Sequence, residues 1–237
     1  MQSLPAGFRA LVIGASGAIG AALVAELRHT PGCALVVALD RRSQPAIDFA
    51  DEASIAAAAT ELAKQGPFQL IINTTGILHG VAQDGATPLQ PEKRLADVQY
   101  AQLQQVFLIN TFGPALVLRH FSGLLDRQRG ILALLSAKVG SIGDNRLGGW
   151  YSYRASKAAL NMLVKTAAIE IKRSQPNAVV LALHPGTVSS RLSQPFRGEQ
   201  IGRSPAVAAQ DLLRVLDQQP AQASGGFLSY SGEQLPW

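Results

Sequence analysis

The chain predicts an α/β fold of the Rossmann-like, doubly wound kind: a mostly parallel sheet with helices on both faces. Three observations carry this expectation. Short, nearly uninterrupted apolar runs recur along the chain, as strands buried on both faces do. Between them lie longer stretches with apolar residues at helical spacing. The first apolar run stops at a glycine-rich turn that opens directly into the first helical stretch. Strands and helices alternating in this way build a parallel sheet covered on both sides.

Taken in order, Leu11-Val12-Ile13 is the first strand. Ile19, Leu23, Val24 and Leu27 follow at helical spacing, and Pro31-Gly32 ends that helix. Ala34–Leu39 is the second strand. The link from Asp40 to Asp51 is too short for a crossover helix, and a strand there, around Ala46-Ile47, would be brief. Asp51 is a natural N-cap for a helix reaching about Lys64. Phe68–Ile72 is a strand, and a polar loop runs from Gly76 to Pro91. A long helical pattern covers Leu95–Leu125, with a bend or break expected at Gly113-Pro114. Ile131–Leu135 is a strand, Tyr153–Lys172 a helix, and Val179–Leu183 a strand ending at Pro185-Gly186. A helix after Pro205 and a strand over Phe227–Tyr230 complete the pattern.

Size and composition narrow the options. At 237 residues the chain is expected to form one domain, 1–237, with a core that needs no staples. Apolar residues make up 47% and charged residues 16%, which excludes disorder as the main state. One cysteine, Cys33, excludes a disulfide framework and fits a cytoplasmic location. The histidines His29, His79, His120 and His184 have no metal-ligand spacing, so no metal is expected. The longest uncharged stretch, Val98–Leu118, is interrupted by four glutamines and Asn110, so no membrane partner is expected. The N-terminus shows no basic start followed by an apolar run. A formal charge of +5 would suit an anionic partner, but the basic residues are scattered, with no run longer than a pair such as Arg41-Arg42, so nucleic acid is not expected.

Gly14-Ala-Ser16-Gly17-Ala18-Ile19-Gly20 sits between the first strand and the first helix. A helix N-terminus offers free N–H groups and partial positive charge, and glycines allow a pyrophosphate to approach the backbone. Asp40 ends the next strand, twenty residues past Gly20, where a carboxylate would accept from ribose hydroxyls. Arg41 and Arg42 follow at once and would bind a 2′-phosphate. The two signals oppose each other; two cations and Ser43 against one carboxylate tip the expectation slightly to NADP(H) over NAD(H). Without a cofactor, the same features would be a close-packed helix start and a solvated loop.

Tyr153 and Lys157 stand four residues apart, on one helical face. A free phenol, with a pKa of ~10, is a poor base at neutral pH. An ammonium beside it would lower that value, so Tyr153 would give a proton to a carbonyl oxygen or take one from an alcohol.

With these motifs in place the chain resembles the short-chain dehydrogenase/reductase family. The resemblance rests on Gly14–Gly20, Asn73-Thr-Thr-Gly76, Asn110, Ser136, Tyr153-x-x-x-Lys157 and His184-Pro-Gly-Thr187, in that order. Through Leu78-His79, Pro91-Glu-Lys93, Gly148-Gly149-Trp150 and Pro236-Trp237 it is most similar to the C-factor-like and sniffer-like carbonyl reductases. The resemblance implies an NAD(P)(H)-dependent oxidoreductase acting on a small, apolar carbonyl or alcohol substrate. Tyr153 would be the proton donor or acceptor, Lys157 its partner and a ribose ligand, Ser136 the holder of the substrate oxygen, and Asn110 the anchor of a water. Asp48 would contact adenine, Asn73 and Gly76 would line the cofactor, and Pro185, Gly186, Thr187 and Val188 would lie beside the nicotinamide amide. It also implies a homodimer or homotetramer, for which Ala155, Ala158 and Ala159 offer a small-residue stripe. A C-factor-like regulatory protein that senses the dinucleotide with little turnover is the alternative.

Some positions depart from the family pattern. Ile13 and Ala18 replace a common threonine and glycine, and Thr74-Thr75 replace Asn-Ala. Ser136 lies 17 residues before Tyr153 and Ser141 only 12, so Ser141 competes for the serine role. Ser136 is favoured because it directly ends a strand. Read structurally, Ser136 would be a strand-ending hydroxyl and Asn110 a side chain satisfying backbone groups at a helix bend.

Overall fold

The computed structural model describes residues 1–81, 85, 86 and 88–237. Six parallel strands form the main sheet in the order β2-β1-β3-β6-β7-β8. These are β1 (Phe8–Ile13), β2 (Cys33–Leu39), β3 (Leu70–Asn73), β6 (Ile131–Leu135), β7 (Val179–His184) and β8 (Gly226–Ser229). A small antiparallel pair, β4 (Gly80–Val81) and β5 (Pro88–Leu89), lies apart from it. The longer helices are α1 (Ala18–His29), α2 (Glu52–Ala63), α3 (Tyr100–Phe107), α4 (Gly113–Phe121), α5 (Tyr151–Ser174) and α7 (Pro205–Asp217); α6 (Gly198–Ile201) is a single turn.

The period-two alternation of each strand sorts its side chains between two cores. On β1, Leu11 and Ile13 face the side covered by α2, α4 and α5, where Ile55, Leu62, Val117, Phe121, Leu160 and Val164 are buried. Ala10 and Val12 face the other side, with Leu23 and Leu27 of α1 and Leu212 and Leu216 of α7. Both surfaces of each central strand are therefore dry, which is why these strands read as continuous apolar runs.

Two expectations change. The link after Asp40 holds no strand. Its backbone turns instead: the Ser43 hydroxyl donates to the carbonyls of Asp40 and Pro45 and accepts from Asp40 N–H. Ile47 and Phe49 then drop into the core. The helical pattern opens with a separate 3₁₀ turn over Leu95–Asp97, and the helix that follows from Tyr100 is not broken at Gly113-Pro114. It widens into a π-helical turn over Leu108–Phe112 and continues as α4. Pro114 has no N–H for the carbonyl of Asn110, so the regular ladder cannot run through this point. Gly113 serves packing, because a Cβ there would collide with the Phe49 ring.

The strand order reverses between β1 and β3, which pair side by side with Ile13 opposite Asn73. A crevice at the carboxyl ends of strands opens at such a point. Gly14, Ser136 and Pro185 directly follow strand ends on that edge, and Asn73 is the last residue of β3.

Candidate active site

The glycine turn begins with Gly14 at φ +84°, which favours glycine. A Cβ on Gly14 would come within 2.7 Å of the Thr74 hydroxyl, and one on Gly20 would collide with the Gly14 carbonyl. Thr74 is what closes this turn: its hydroxyl donates to the carbonyls of Ile13 (2.9 Å) and Gly14 (3.1 Å). Gly17 caps α1 with no side chain, and no acidic residue stands in the first turn. The first N–H groups of α1 are thus uncapped, with partial positive charge at Ala18 and Ile19. That is a fit for a pyrophosphate.

Asp40 lies against the same turn. Its Oδ1 accepts from the N–H groups of Arg42 (2.7 Å) and Ser43 (3.0 Å). These bonds, together with one from the Ser16 hydroxyl, hold its carboxyl below the usual carboxylate range despite some burial. Arg41 and Arg42 are exposed beside it. Asp48 accepts from Ala50 N–H at 3.0 Å. Asn73 is buried, and its Oδ1 accepts from the N–H and hydroxyl of Thr75.

Helix α5 brings Tyr153 and Lys157 to the crevice. Lys157 is buried and donates to the carbonyl of Leu135 at 2.9 Å. Its ammonium lies over the Tyr153 ring, 5.9 Å from the ring centre. Asn110, presented by the π-helical turn, accepts from Ile77 N–H (2.8 Å) and donates to Ile77 O (2.9 Å) and to the Ser156 hydroxyl (3.1 Å). The backbone-satisfying role is therefore visible in its geometry. Gly76 faces both groups: a Cβ there would stand 3.5 Å from Asn110 Oδ1 and 3.6 Å from Lys157 Nζ. A side chain there would pack directly on the lysine amine and Asn110.

The electrostatics differ from the expectation that Lys157 depresses the phenol. Burial pushes Tyr153 up to about 12. Burial also holds Lys157 down to about 7. Desolvation outweighs the attraction between the two side chains, because an amine that is half neutral at pH 7 exerts little pull on a phenol.

The serines also differ. The Ser136 hydroxyl donates to Asn161 Oδ1 at 2.6 Å, and both residues are buried. Asn161 is eight residues beyond Tyr153 on α5, a rise of about 12 Å. The proton of this hydroxyl is already engaged there. Ser141 is buried too; its hydroxyl donates to the carbonyl of Trp237 (3.2 Å) and accepts from Asp144 N–H (3.1 Å).

Several further residues shape the site, of which Glu92 had no role read from the sequence. Glu92 is buried at the start of α5, where its carboxylate accepts from the Ser152 hydroxyl and from Ser152 N–H (3.1 Å). Its backbone carbonyl accepts from Trp150 N–H at 2.5 Å. Trp150, the N-cap residue, has φ 53° and no capping side chain, so Glu92 supplies the cap from a distant loop. The Trp150 ring stands 6.1 Å from that of Tyr153 and 5.0 Å from that of Phe196. His79 meets Phe196 edge-on at 5.9 Å, and its Nε2 lies 3.1 and 3.0 Å from the carbonyls of Arg191 and Leu192. These rings wall one side of the crevice. Of the polar loop Gly76–Pro91, residues 82–84 and 87 lie outside the described residues. Only the Thr74-Thr75 departure, next to a glycine turn, was a signal within reach of sequence reasoning; the partners of Glu92 and Asn161 are remote in the chain.

Beyond β7, Gly186 has φ +73° and Val188 is buried. The N–H groups of Thr187 and Val188 make no hydrogen bond among the described residues. They are free for an amide placed over the crevice.

A parallel sheet with this strand order, its glycine turn at the reversal point and its tyrosine–lysine helix alongside, defines a Rossmann-like α/β protein of the oxidoreductase type. The chain belongs to the short chain dehydrogenase family, whose model matches residues 9–200. It is 29% identical over 82% of its length to 1-hydroxy-2-glutathionyl-2-methyl-3-butene dehydrogenase of Rhodococcus sp., covering 80% of that protein. It is 36% identical over 60% of its length to the C-signal protein of Myxococcus xanthus, covering 83% of it. Among solved structures, carbonyl reductase Sniffer of D. melanogaster superposes with a TM-score of 0.81 at 20% identity, over 98% of this chain and 99% of that one. An NADPH-bound carbonyl reductase from chicken fatty liver gives 0.80 at 24% identity, over 99% and 100%. No helix among the described residues is long and apolar enough to cross a membrane.

Proposed function

We propose that this protein transfers hydride between a nicotinamide dinucleotide and a carbonyl or alcohol carbon, with Tyr153 as general acid and base. The observation that carries the reading is the cluster of Tyr153, Lys157, Asn110 and Gly76 at the crevice where the glycine turn also opens. A bound nicotinamide would supply or accept the hydride. The uncapped start of α1 would hold its pyrophosphate, and the N–H groups of Thr187 and Val188 its amide. Tyr153, protonated at neutral pH, would give its proton to the substrate oxygen. Lys157 would lie over the ring, where its ammonium form would stabilise the phenolate. Tyr153 acts without Ser136 or Ser141, whose hydroxyls are engaged elsewhere.

The rings of Trp150, Phe196 and His79, with buried Leu78, favour a small apolar or aromatic substrate. NADP(H) over NAD(H) rests on the exposed pair Arg41-Arg42 and on the NADPH-bound relative in fold. Homo-oligomerisation rests on exposed Ala155, Met162 and Ile169, which recur every seven residues along α5. Sedimentation would report the assembly, and mutating Met162 to glutamate would dissociate it. The whole reading is tested by NADPH oxidation against a panel of aliphatic and aromatic aldehydes and ketones. Turnover with the aromatic members supports it.

A second reading, a dinucleotide-sensing regulatory protein with little turnover, draws on the similarity to C-signal and on the two engaged serines. It predicts cofactor binding with no reduction anywhere in that panel.

A further inference from the structure

The segment Pro185–Val188 is short, exposed in part, and needs a fixed shape if its free N–H groups are to meet a ligand. One side chain outside it fixes that shape. Arg203 stands just before α7, and its guanidinium stacks 3.7 Å above the centre of the Tyr230 ring. Nη1 pairs with Asp211, and Nη2 donates to the carbonyl of Pro185 at 2.5 Å. The backbone of the same residue is used as well: Arg203 N–H donates to Thr187 O (3.0 Å), and Arg203 O accepts from Ser189 N–H (2.9 Å). Tyr230 in turn packs on Gly186, where a Cβ would meet its ring at 2.9 Å.

Two carbonyls of the segment, those of residues 185 and 187, are thus tied to one arginine. A peptide whose carbonyl is held on one side presents the following N–H away from that side. We propose that Arg203 is a positioning residue that, by holding the carbonyl of Thr187, aims the N–H group of Val188 at the carboxamide oxygen of the nicotinamide. This rests on the reading that the segment receives that carboxamide. The planar fork and the ring stack require arginine; a lysine ammonium keeps the charge but can neither stack in the same way nor bond two directions at fixed angles.

The test is calorimetric binding of NADP⁺ and of its thionicotinamide analogue, in which sulfur, a poorer acceptor, replaces the carboxamide oxygen. The proteins compared are wild type, Arg203→Lys, Arg203→Met and Tyr230→Leu, the last removing the platform without touching the arginine. Wild type is expected to prefer NADP⁺ by about tenfold, the size of one good hydrogen bond. Both Arg203 variants are expected to lose most of that preference while binding the analogue within about twofold of wild type, and Tyr230→Leu to lose part of it. A merely structural role would weaken both ligands equally, and that result overturns the proposal. Full discrimination retained in folded Arg203 variants overturns it too. Equal binding of the two ligands by wild type would instead overturn the placement of the carboxamide, and the role of Arg203 with it.

Discussion

The Ser136 hydroxyl donates to Asn161 Oδ1 at 2.6 Å, two helical turns beyond Tyr153, inside the protein rather than in the crevice. A hydroxyl in that position holds α5 against the end of β6. Ser136→Ala is therefore expected to lower kcat/KM by less than about fivefold. It should cost about 1–3 kcal/mol of stability, because Asn161 loses a partner in a dry place. Steady-state kinetics and urea denaturation check both; a loss of activity of a hundredfold or more in a stable Ser136→Ala protein would put the hydroxyl back into the chemistry.

Lys157 makes stability depend on pH in an unusual direction. Burial lowers its pKa from 10.5 to about 7. Between those values the unfolded chain binds a proton that the folded protein does not, so stability rises with pH across this window. The cost of the lysine is fully expressed at pH 7 and below. Lys157→Met removes that dependence. The variant should gain stability over wild type by a few kcal/mol more at pH 7 than at pH 10, an order-of-magnitude figure from the shift. Denaturant midpoints at the two pH values, combined with the slopes, measure this. A variant whose advantage is the same at both would show that the ammonium is not desolvated in the folded state.

Glu92 is a cap delivered from a distant loop to the helix that carries Tyr153. Glu92→Ala leaves Ser152 N–H and its hydroxyl without their acceptor and is expected to cost about 1–3 kcal/mol. Glu92→Gln keeps one acceptor oxygen and should recover part of the loss. Thermal denaturation orders the three proteins as wild type, Gln, Ala; an Ala variant as stable as wild type would remove the capping role.

Asp40 and the arginines that follow it set the cofactor choice in opposite senses. The carboxylate is pinned by two backbone N–H groups and stays charged, so it repels a 2′-phosphate at any pH near neutrality. Asp40→Asn should tighten NADPH binding by about tenfold relative to NADH, as expected for relief of one close like-charge contact near the surface. Arg41→Ala with Arg42→Ala should move the ratio the other way. An unchanged ratio in Asp40→Asn would place the 2′ position elsewhere.

What the sequence made legible was local. The apolar run into the glycine turn located β1, the start of α1 and the crevice, because both strand burial and turn geometry are written in adjacent residues. Asp51 was readable as a cap, and its side chain does accept from Ala53 N–H. The four-residue spacing put Tyr153 and Lys157 on one face. Three things were not readable. The π-helical turn depends on how Pro114 disturbs a ladder that also packs on Phe49. The engagement of Ser136 depends on Asn161, and the cap on α5 depends on Glu92, 60 residues before Ser152. The electrostatic expectation failed for a related reason: charge attraction is visible from spacing, but desolvation is set by everything packed around the pair.

The account stands most directly on the Tyr153 phenol as the group that moves the proton. Tyr153→Phe removes one oxygen from a ring whose packing against Trp150 remains. The decisive measurement is single-turnover reduction of an aromatic aldehyde by the NADPH-loaded variant, with the cofactor dissociation constant measured alongside. The account predicts cofactor binding within about threefold of wild type and a rate lower by about 10²–10⁴. A Tyr153→Phe protein that binds cofactor and reduces the aldehyde at the wild-type rate would contradict it.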